Sequence, residues 1–374
     1  MTVQINGTSG LVFNDASSQN TAATGFGFKN RIINGAMMID QRNAGASVTV
    51  TTAGGFFAAD RFVTWNQSDG GVTAQQISDA PNGFNNSLRV TITSNDTNLS
   101  TTQYVETRQL IEGFNVADLG WGTANAQPVT LSFWVKSSLT GTFGGSFMNS
   151  SVNRAYPFSY IISSANTWEY KTISLVGDTT GTWEKTNGNG MFVILNLGAG
   201  TDFQGTANAW VGSRKHTVSG AVSLIGTNGA TWQVTGVQLE KGSTATSFDY
   251  RPYGTELNLC QRYYYKAITG TPFNQLAFCN VRTTTSHYAF MQLPVTMRAN
   301  PSSIDYSTVG IIAAWGAGVT GLNSLTFADS NYGTGQTQVL LNAVTSSAVG
   351  TVGQVSMLLG SASSTAFVAL NAEL

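Results

Sequence analysis

The sequence predicts an all-β chain. It is expected to comprise an extended N-terminal arm (1–30), a jelly-roll β-sandwich (31–253), a short helical linker (254–266) and a second, smaller β-sandwich domain (267–374). Three observations predict this. Short runs of alternating apolar and polar residues recur, each closed by a cluster of turn-forming residues, which is the pattern of an antiparallel sandwich. No strand–helix alternation of the βαβ kind is present, which disfavours a doubly wound sheet. Charged residues make up only 10% of the 374, against 41 glycines, and Ser, Thr and Asn fill the polar positions. Hydroxyl and amide side chains suit strands and turns better than helix interiors.

The first stretch, "MTVQINGTSGLVFNDASSQNTAATGFGFKN", scatters its apolar residues among Gly, Ser, Asn and Thr. It has no segment able to bury a core alone, so it is expected to act as an arm that orders against other chains. From "RIINGAMMIDQRNAG" the strand pattern begins. "SLRVTITS" sets Leu88, Val90 and Ile92 against Arg89, Thr91 and Thr93, and "WEYKTISLVG" sets Ile173 and Leu175 against Thr172 and Ser174. "GMFVILNLG" is apolar on both faces from Met191 to Leu195, as a central, doubly covered strand is. In "TWQVTGVQLEKG" the apolar phase shifts after Gly236 from Trp232 and Val234 to Val237 and Leu239, which predicts a bulge. "NVADLGWG" is expected to form a single helical turn. In "TELNLCQRYYYK", Leu257, Cys260 and Tyr264 fall at helical spacing, with Thr255 as the candidate cap. Beyond it, Pro294 is expected to end or bend the run "YAFMQLPVTM". "TQVLLNAVTSS" and "TAFVALNAEL" are expected as strands, the latter tying down the C-terminus.

Composition removes several function classes. Hydrophobic residues at 41% and aromatics at 11% supply cores that disordered chains lack. Lys and Arg number 18 against 19 Asp and Glu, and no basic run is longer than "SRKH". Nucleic-acid binding needs a basic surface, so no nucleic-acid partner is expected. No apolar run approaches the ~20 residues of a membrane helix, and no signal-peptide pattern opens the chain. Neither membrane insertion nor secretion is therefore expected. Cys260 and Cys279 are expected as buried, reduced thiols.

No catalytic constellation emerges. His216 and His287 lie far apart without metal-ligand neighbours, and are expected as ordinary surface or partly buried residues. The nucleophile elbow is absent, and "NGNGMF" and "GAGTDFQG" are turns. Asp60 in "AADRF" and Asp249 in "FDYRP" each adjoin an arginine, as ion pairs or turn caps do. The expectation is a non-enzyme with no metal and no cofactor. A glycosidase needs only two carboxylates roughly 5–9.5 Å apart, a spacing that no sequence displays, so a polysaccharide depolymerase stays as an alternative.

The aromatics remain. Trp65, Trp134, Trp168, Trp183, Trp210, Trp232 and Trp315 are candidates for core packing or for stacking on sugar rings. Trp232 is in phase with Val234 and belongs to the core. Trp134 is out of phase. In "PVTLSFWVKSS", Val129, Leu131, Phe133 and Val135 share one face, while Trp134 stands with Thr130, Ser132 and Lys136 on the other. Three readings of Trp134 stay open: packing against another subunit, cover by this chain's own loops, and ligand contact.

Several segments carry a resemblance. "INGTSGLVFNDASSQNTAA" is similar to a stretch near the N-terminus of many phage tail-fibre proteins. "NRIINGAMMIDQRNAGAS...AADRF", "PVTLSFWVKSSLTGTF", "TWEYKTISLVGDTTGTW" and "VTGVQLEKGSTATSFDYRPYGTELNLCQRYYYK" resemble, in that order, a domain common in phage and prophage fibres. Together they cover most of residues 1–266. The resemblance implies a virion structural protein with a jelly roll similar to carbohydrate-binding modules. It further implies a homotrimeric fibre that recognises a host cell-surface glycan, made in the host cytoplasm and attached to other virion proteins through residues 1–30. A tail fibre is the first expectation. A capsid or tail decoration fibre without a receptor role is the alternative. If the C-terminal domain is the distal tip, Trp315 and Tyr332, aromatics in small-residue loops, are the candidate ligand contacts beside Trp134.

Overall fold

Strand pairing produces two six-stranded antiparallel sheets that face one another. The computed structural model describes residues 29–313, 318–328 and 336–374, with the backbone of three short strands in the arm. The first sheet runs Glu169–Leu175, Val129–Ser137, Thr231–Lys241, Ser87–Ser94, Gly71–Ile77, Val48–Val50. The second runs Ala155–Ile162, Gly141–Met148, Asn189–Ala199, Tyr104–Glu112, Phe62–Asn66, Gly54–Ala59. The chain crosses repeatedly from one sheet to the other, so sequence neighbours are often not sheet neighbours. This is the jelly roll that the alternating pattern predicts.

One core lies between the sheets. Leu88, Val90 and Ile92 are buried from one sheet, Met191, Val193 and Leu195 from the other, and Trp232, Phe133, Phe143, Phe147 and Phe158 fill the middle. Phe133 and Tyr160 meet edge-on at 5.1 Å, and Trp232 Nε1 donates to the Tyr160 hydroxyl at 3.3 Å. The expected central strand, Asn189–Ala199, is third in its sheet and buried along nearly all its length. The bulge falls where the phase shift places it. Gly236 has φ +61°, and the register between the strands Val129–Ser137 and Thr231–Lys241 slips between Ser132 and Trp134. In the arm, Gln4–Asn6, Gly10–Val12 and Ser18–Gln19 pair antiparallel with one another.

"NVADLGWG" contributes to two short 3-10 turns, Gly113–Asn115 and Ala117–Leu119. The α-helix spans Tyr253–Gln261, which corrects the expected cap. Its N-cap is Pro252, and Thr255 lies inside. The Pro252 carbonyl accepts from Glu256 N–H at 3.1 Å, and a proline has no N–H of its own to satisfy. Tyr264 belongs not to the helix but to the strand Tyr264–Ile268.

That strand pairs with Phe367–Asn371, which pairs in turn with Ser303–Ser307. The remaining strands of the smaller domain go further than an open sandwich and close into a six-stranded barrel. Closure leaves no strand edge unpaired, which is how a small sheet with little charge avoids edge-to-edge association. The strand Ser286–Gln292 stops before Pro294, and Gln338–Thr345 and Phe367–Asn371 are strands as expected. Charged groups tie the two domains together. Glu373 takes ion pairs from Arg42 and Arg61, and Arg262 Nη2 lies 2.6 Å from Glu112 Oε1. Asp60 is indeed ion-paired, but to Arg42 at 3.4 Å rather than to its neighbour Arg61.

The histidines require a correction, because both are fully enclosed. Each is tolerated inside because a ring nitrogen has a partner: His216 Nδ1 is 2.5 Å from Glu106 Oε2, and His287 Nδ1 is 3.0 Å from Ser356 Oγ. Both cysteines are free and buried, as expected.

Candidate functional site

The out-of-phase tryptophan marks a groove on the outer face of the first sheet. Trp134 pairs across the strands with Tyr170 on one side and Thr235 on the other. Its ring lies 5.4 Å from that of Tyr170, which is 43% exposed. Gly236 forms the floor. A Cβ there would sit 2.7 Å from Phe84 Cζ and 3.1 Å from Trp134 Cδ1, so only a glycine lets both rings come this close. The bulge and the groove therefore share one cause.

Three more aromatics build the opposite wall. Phe84 meets Phe248 at 5.1 Å and Tyr250 at 5.6 Å, and Phe248 meets Tyr250 at 4.9 Å. Tyr250 is 60% exposed, and its hydroxyl donates to Gly83 O at 3.0 Å. Two side chains of the strand Thr231–Lys241 pin the covering loop. Glu240 accepts from Thr246 N–H at 2.8 Å and from Thr246 Oγ1 at 2.7 Å. Gln238 Oε1 accepts from Asp249 N–H at 2.8 Å. Both side chains are buried on the outward face, where a strand with one wet side would carry exposed groups.

The cleft encloses about 690 Å³, within the ~300–1,000 Å³ of ordinary ligand sites. Ser132, Thr172, Thr244 and Thr246 add hydroxyls, and among the described residues no charged side chain lines it. Flat apolar rings beside neutral hydroxyls suit a ligand with an apolar face and hydroxyl edges. Further along the same face Trp168 lies under Lys136 Nζ at 5.2 Å, and Lys136 pairs with Asp79. The lysine's hydrogen bond holds the Asp79 carboxyl below its usual range.

This chain's own loop covers part of the Trp134 ring, and the rest lines an open cleft. Trp315 and Tyr332 lie outside the described residues. Trp183 and Trp210 pack edge-on with Trp121 at 4.7 and 5.3 Å, and Arg108 lies over Trp65 at 4.7 Å. These are packing roles. Sequence analysis missed Phe84, Tyr170, Phe248 and Tyr250. A signal existed for Tyr170, which breaks the phase of its strand as Trp134 breaks the phase of its own. None existed for Phe84 and Tyr250, which converge only through the fold.

No protein-family model matches the sequence, and no curated protein matches it at a significant level. Solved structures do. The enzymatically active domain of bacteriophage CBA120 tailspike protein 4 is similar at 12% identity and TM-score 0.31, over 57% of this chain and 21% of that one. A family 11 carbohydrate-binding module from Clostridium thermocellum, in complex with a β-1,3-1,4-mixed-linked tetrasaccharide, is similar at 11% identity and TM-score 0.27, over 53% of this chain and 98% of that one. TmCBM61, in complex with β-1,4-galactotriose, is similar at 8% identity and TM-score 0.28, over 57% and 99%. Likeness at these scores assigns no ligand to this chain.

Proposed function

We propose that this chain is a virion fibre subunit of the tail-fibre kind, which attaches to host-surface glycan through the groove around Trp134. The observation that carries the reading is the uncharged cleft with Trp134 and Tyr170 on one side and Phe84, Phe248 and Tyr250 on the other. Sugar rings stack on such walls, and the flanking Ser and Thr hydroxyls meet their edges. The ordered resemblance of four segments to phage fibre domains supports the virion assignment, with residues 1–30 as the attachment arm.

In this reading the protein binds and does not cleave. Support comes from the lining itself, which among the described residues contains no carboxylate to act as acid, base or nucleophile. The fibre is a homotrimer. An apolar row on the outside of the barrel supports self-association: Met357, Phe278, Phe290 and Leu340 stand side by side on four strands in register. Phe278 is 63% and Phe290 49% exposed, and a contiguous apolar patch of this kind is what a second copy covers. Three linked grooves raise avidity on the order of 10²–10⁴ without new contacts.

The test is a glycan array with the full chain, followed by titration of the best oligosaccharide. Trp134→Ala is expected to weaken binding by at least about tenfold while leaving the circular dichroism spectrum unchanged. Equal binding by the variant would remove the groove from the function. Light scattering is expected to report a trimer, and Phe278→Lys to dissociate it. No reducing sugar is expected from any bound glycan.

A further inference from the structure

We infer that the Trp134 groove takes the end of a glycan chain or branch, and not an internal run of sugars, because it is walled on three sides and opens only across the edge of the sheet. This rests on the reading of the groove as a glycan site and adds which part of a glycan enters it.

Strand register sets the floor. On the outer face, Thr130, Ser132 and Trp134 stand opposite Ser174, Thr172 and Tyr170 of the neighbouring strand. The cleft is lined by the Ser132–Thr172 and Trp134–Tyr170 rows, with Gly236 behind Trp134. The rows before and after them are occupied by this chain itself.

At one end, Thr130 Oγ1 donates to Gly242 O at 2.9 Å and Ser174 Oγ donates to Ser243 O at 2.9 Å. The segment 242–250 therefore lies across that row. At the other end, Lys136 follows Trp134 on the same face and pairs with Asp79 of the loop 78–86. Trp168 Nε1 donates to the same carboxylate at 3.4 Å. These contacts tie the loop to the sheet just beyond Trp134. The back is the wall of Phe84, Phe248 and Tyr250. Because the Tyr250 hydroxyl donates to Gly83 O, the two loops form one barrier.

The fourth side is different. The strand Glu169–Leu175 is the edge of its sheet, and its outward residues Tyr170 and Thr172 are exposed. From Gly236 to Tyr170 is two strand spacings, about 10 Å. Over that distance the rings of Trp134 and Tyr170 succeed one another from the back wall to the outlet. A sugar chain that stacks on both runs across the strands, with its last residue against Phe84 and the rest leaving over Tyr170. An internal run would need a second exit, and the joined loops stand where that exit would be.

The probes are the di-, tri-, tetra- and hexasaccharide of the glycan that binds best on the array, titrated into the full chain by calorimetry. Affinity is expected to rise to the trisaccharide and then to stay level within about twofold. A fluorophore on one end of the trisaccharide is expected to weaken binding by about tenfold or more, and the same fluorophore on the other end to leave it unchanged. Affinity that climbs steadily to the hexasaccharide, or an equal effect of the two labels, would overturn this inference; if Trp134→Ala still abolished binding, the groove would remain a glycan site. No bound glycan at all, or full binding by Trp134→Ala, would overturn both.

Discussion

The two outer faces of the jelly roll share one core and differ in almost everything else. The cleft around Trp134 is lined by aromatic and hydroxyl side chains and is open, and its loop hangs from two buried side chains, Gln238 and Glu240. The face around Glu106 is polar, and its cover is held by the Glu106–Arg108 ion pair and by hydrogen bonds that run from Arg214 through His216 to Glu106. The lesson is that the inner faces fix the sandwich, which leaves each outer face free to be built by whatever segment folds over it. A strand's polar phase is then not simply wet. It is the attachment surface for a loop.

Trp232→Ala removes the largest fully buried side chain between the sheets. It is expected to cost about 3–5 kcal/mol in denaturant unfolding and to disturb both faces alike; an effect on one face only would contradict a shared core. Glu106→Gln leaves Arg108 without its charge partner and changes the group that faces His216 Nδ1. A loss of about 3 kcal/mol is expected, with faster hydrogen exchange confined to residues 200–223 and the Trp134 groove unaffected.

A pH titration sharpens the contrast with the domain junction. Burial pushes the Asp60 carboxyl up to about 6, against the pull of Arg42. Between the ordinary carboxylate value and that figure the folded state holds more protons than the unfolded one. Stability contributed by Asp60 is therefore full at low pH, falls as pH rises from about 4 to about 6, and is flat above, a change of about 2–3 kcal/mol. Asp60→Asn is expected to flatten that part of the pH–stability curve; an unchanged slope would show that Asp60 does not set it.

Gly236→Ala probes the groove floor. The left-handed backbone alone costs about 1–2 kcal/mol, and the added methyl must displace Phe84 or Trp134. A shift in tryptophan fluorescence with that modest loss of stability is expected; an unshifted spectrum would mean that the floor tolerates a side chain. Trp134→Ala should cost least, about 1 kcal/mol or less, since part of the ring already faces the cleft.

Much of the sandwich was legible because alternation is local. Leu88, Val90 and Ile92 announce their buried side within one strand, and the phase shift at Gly236 announces its bulge. The helix and the tied-down last strand were also visible. The Thr255 cap failed because a threonine can satisfy a helix start only when the backbone turns there, and Pro252 had already turned it. Barrel closure was hidden because strands such as Gln275–Thr283 and Val355–Gly360 look the same in an open sheet and a closed one. The groove was half visible. Trp134 and Tyr170 break phase in their own strands, whereas Phe84, Phe248 and Tyr250 carry no local mark.

The all-β class, the inner faces of the strands and the bulge at Gly236 each depend on residues a few positions apart, so they can be read along the chain. That Phe84 and Tyr250 meet beside Trp134, and that Thr217 comes to rest on Gly144 beside Asn196, is visible only in the folded molecule. Those contacts join segments far apart along the chain, and which loop crosses which sheet face is set by the packing of the whole sandwich.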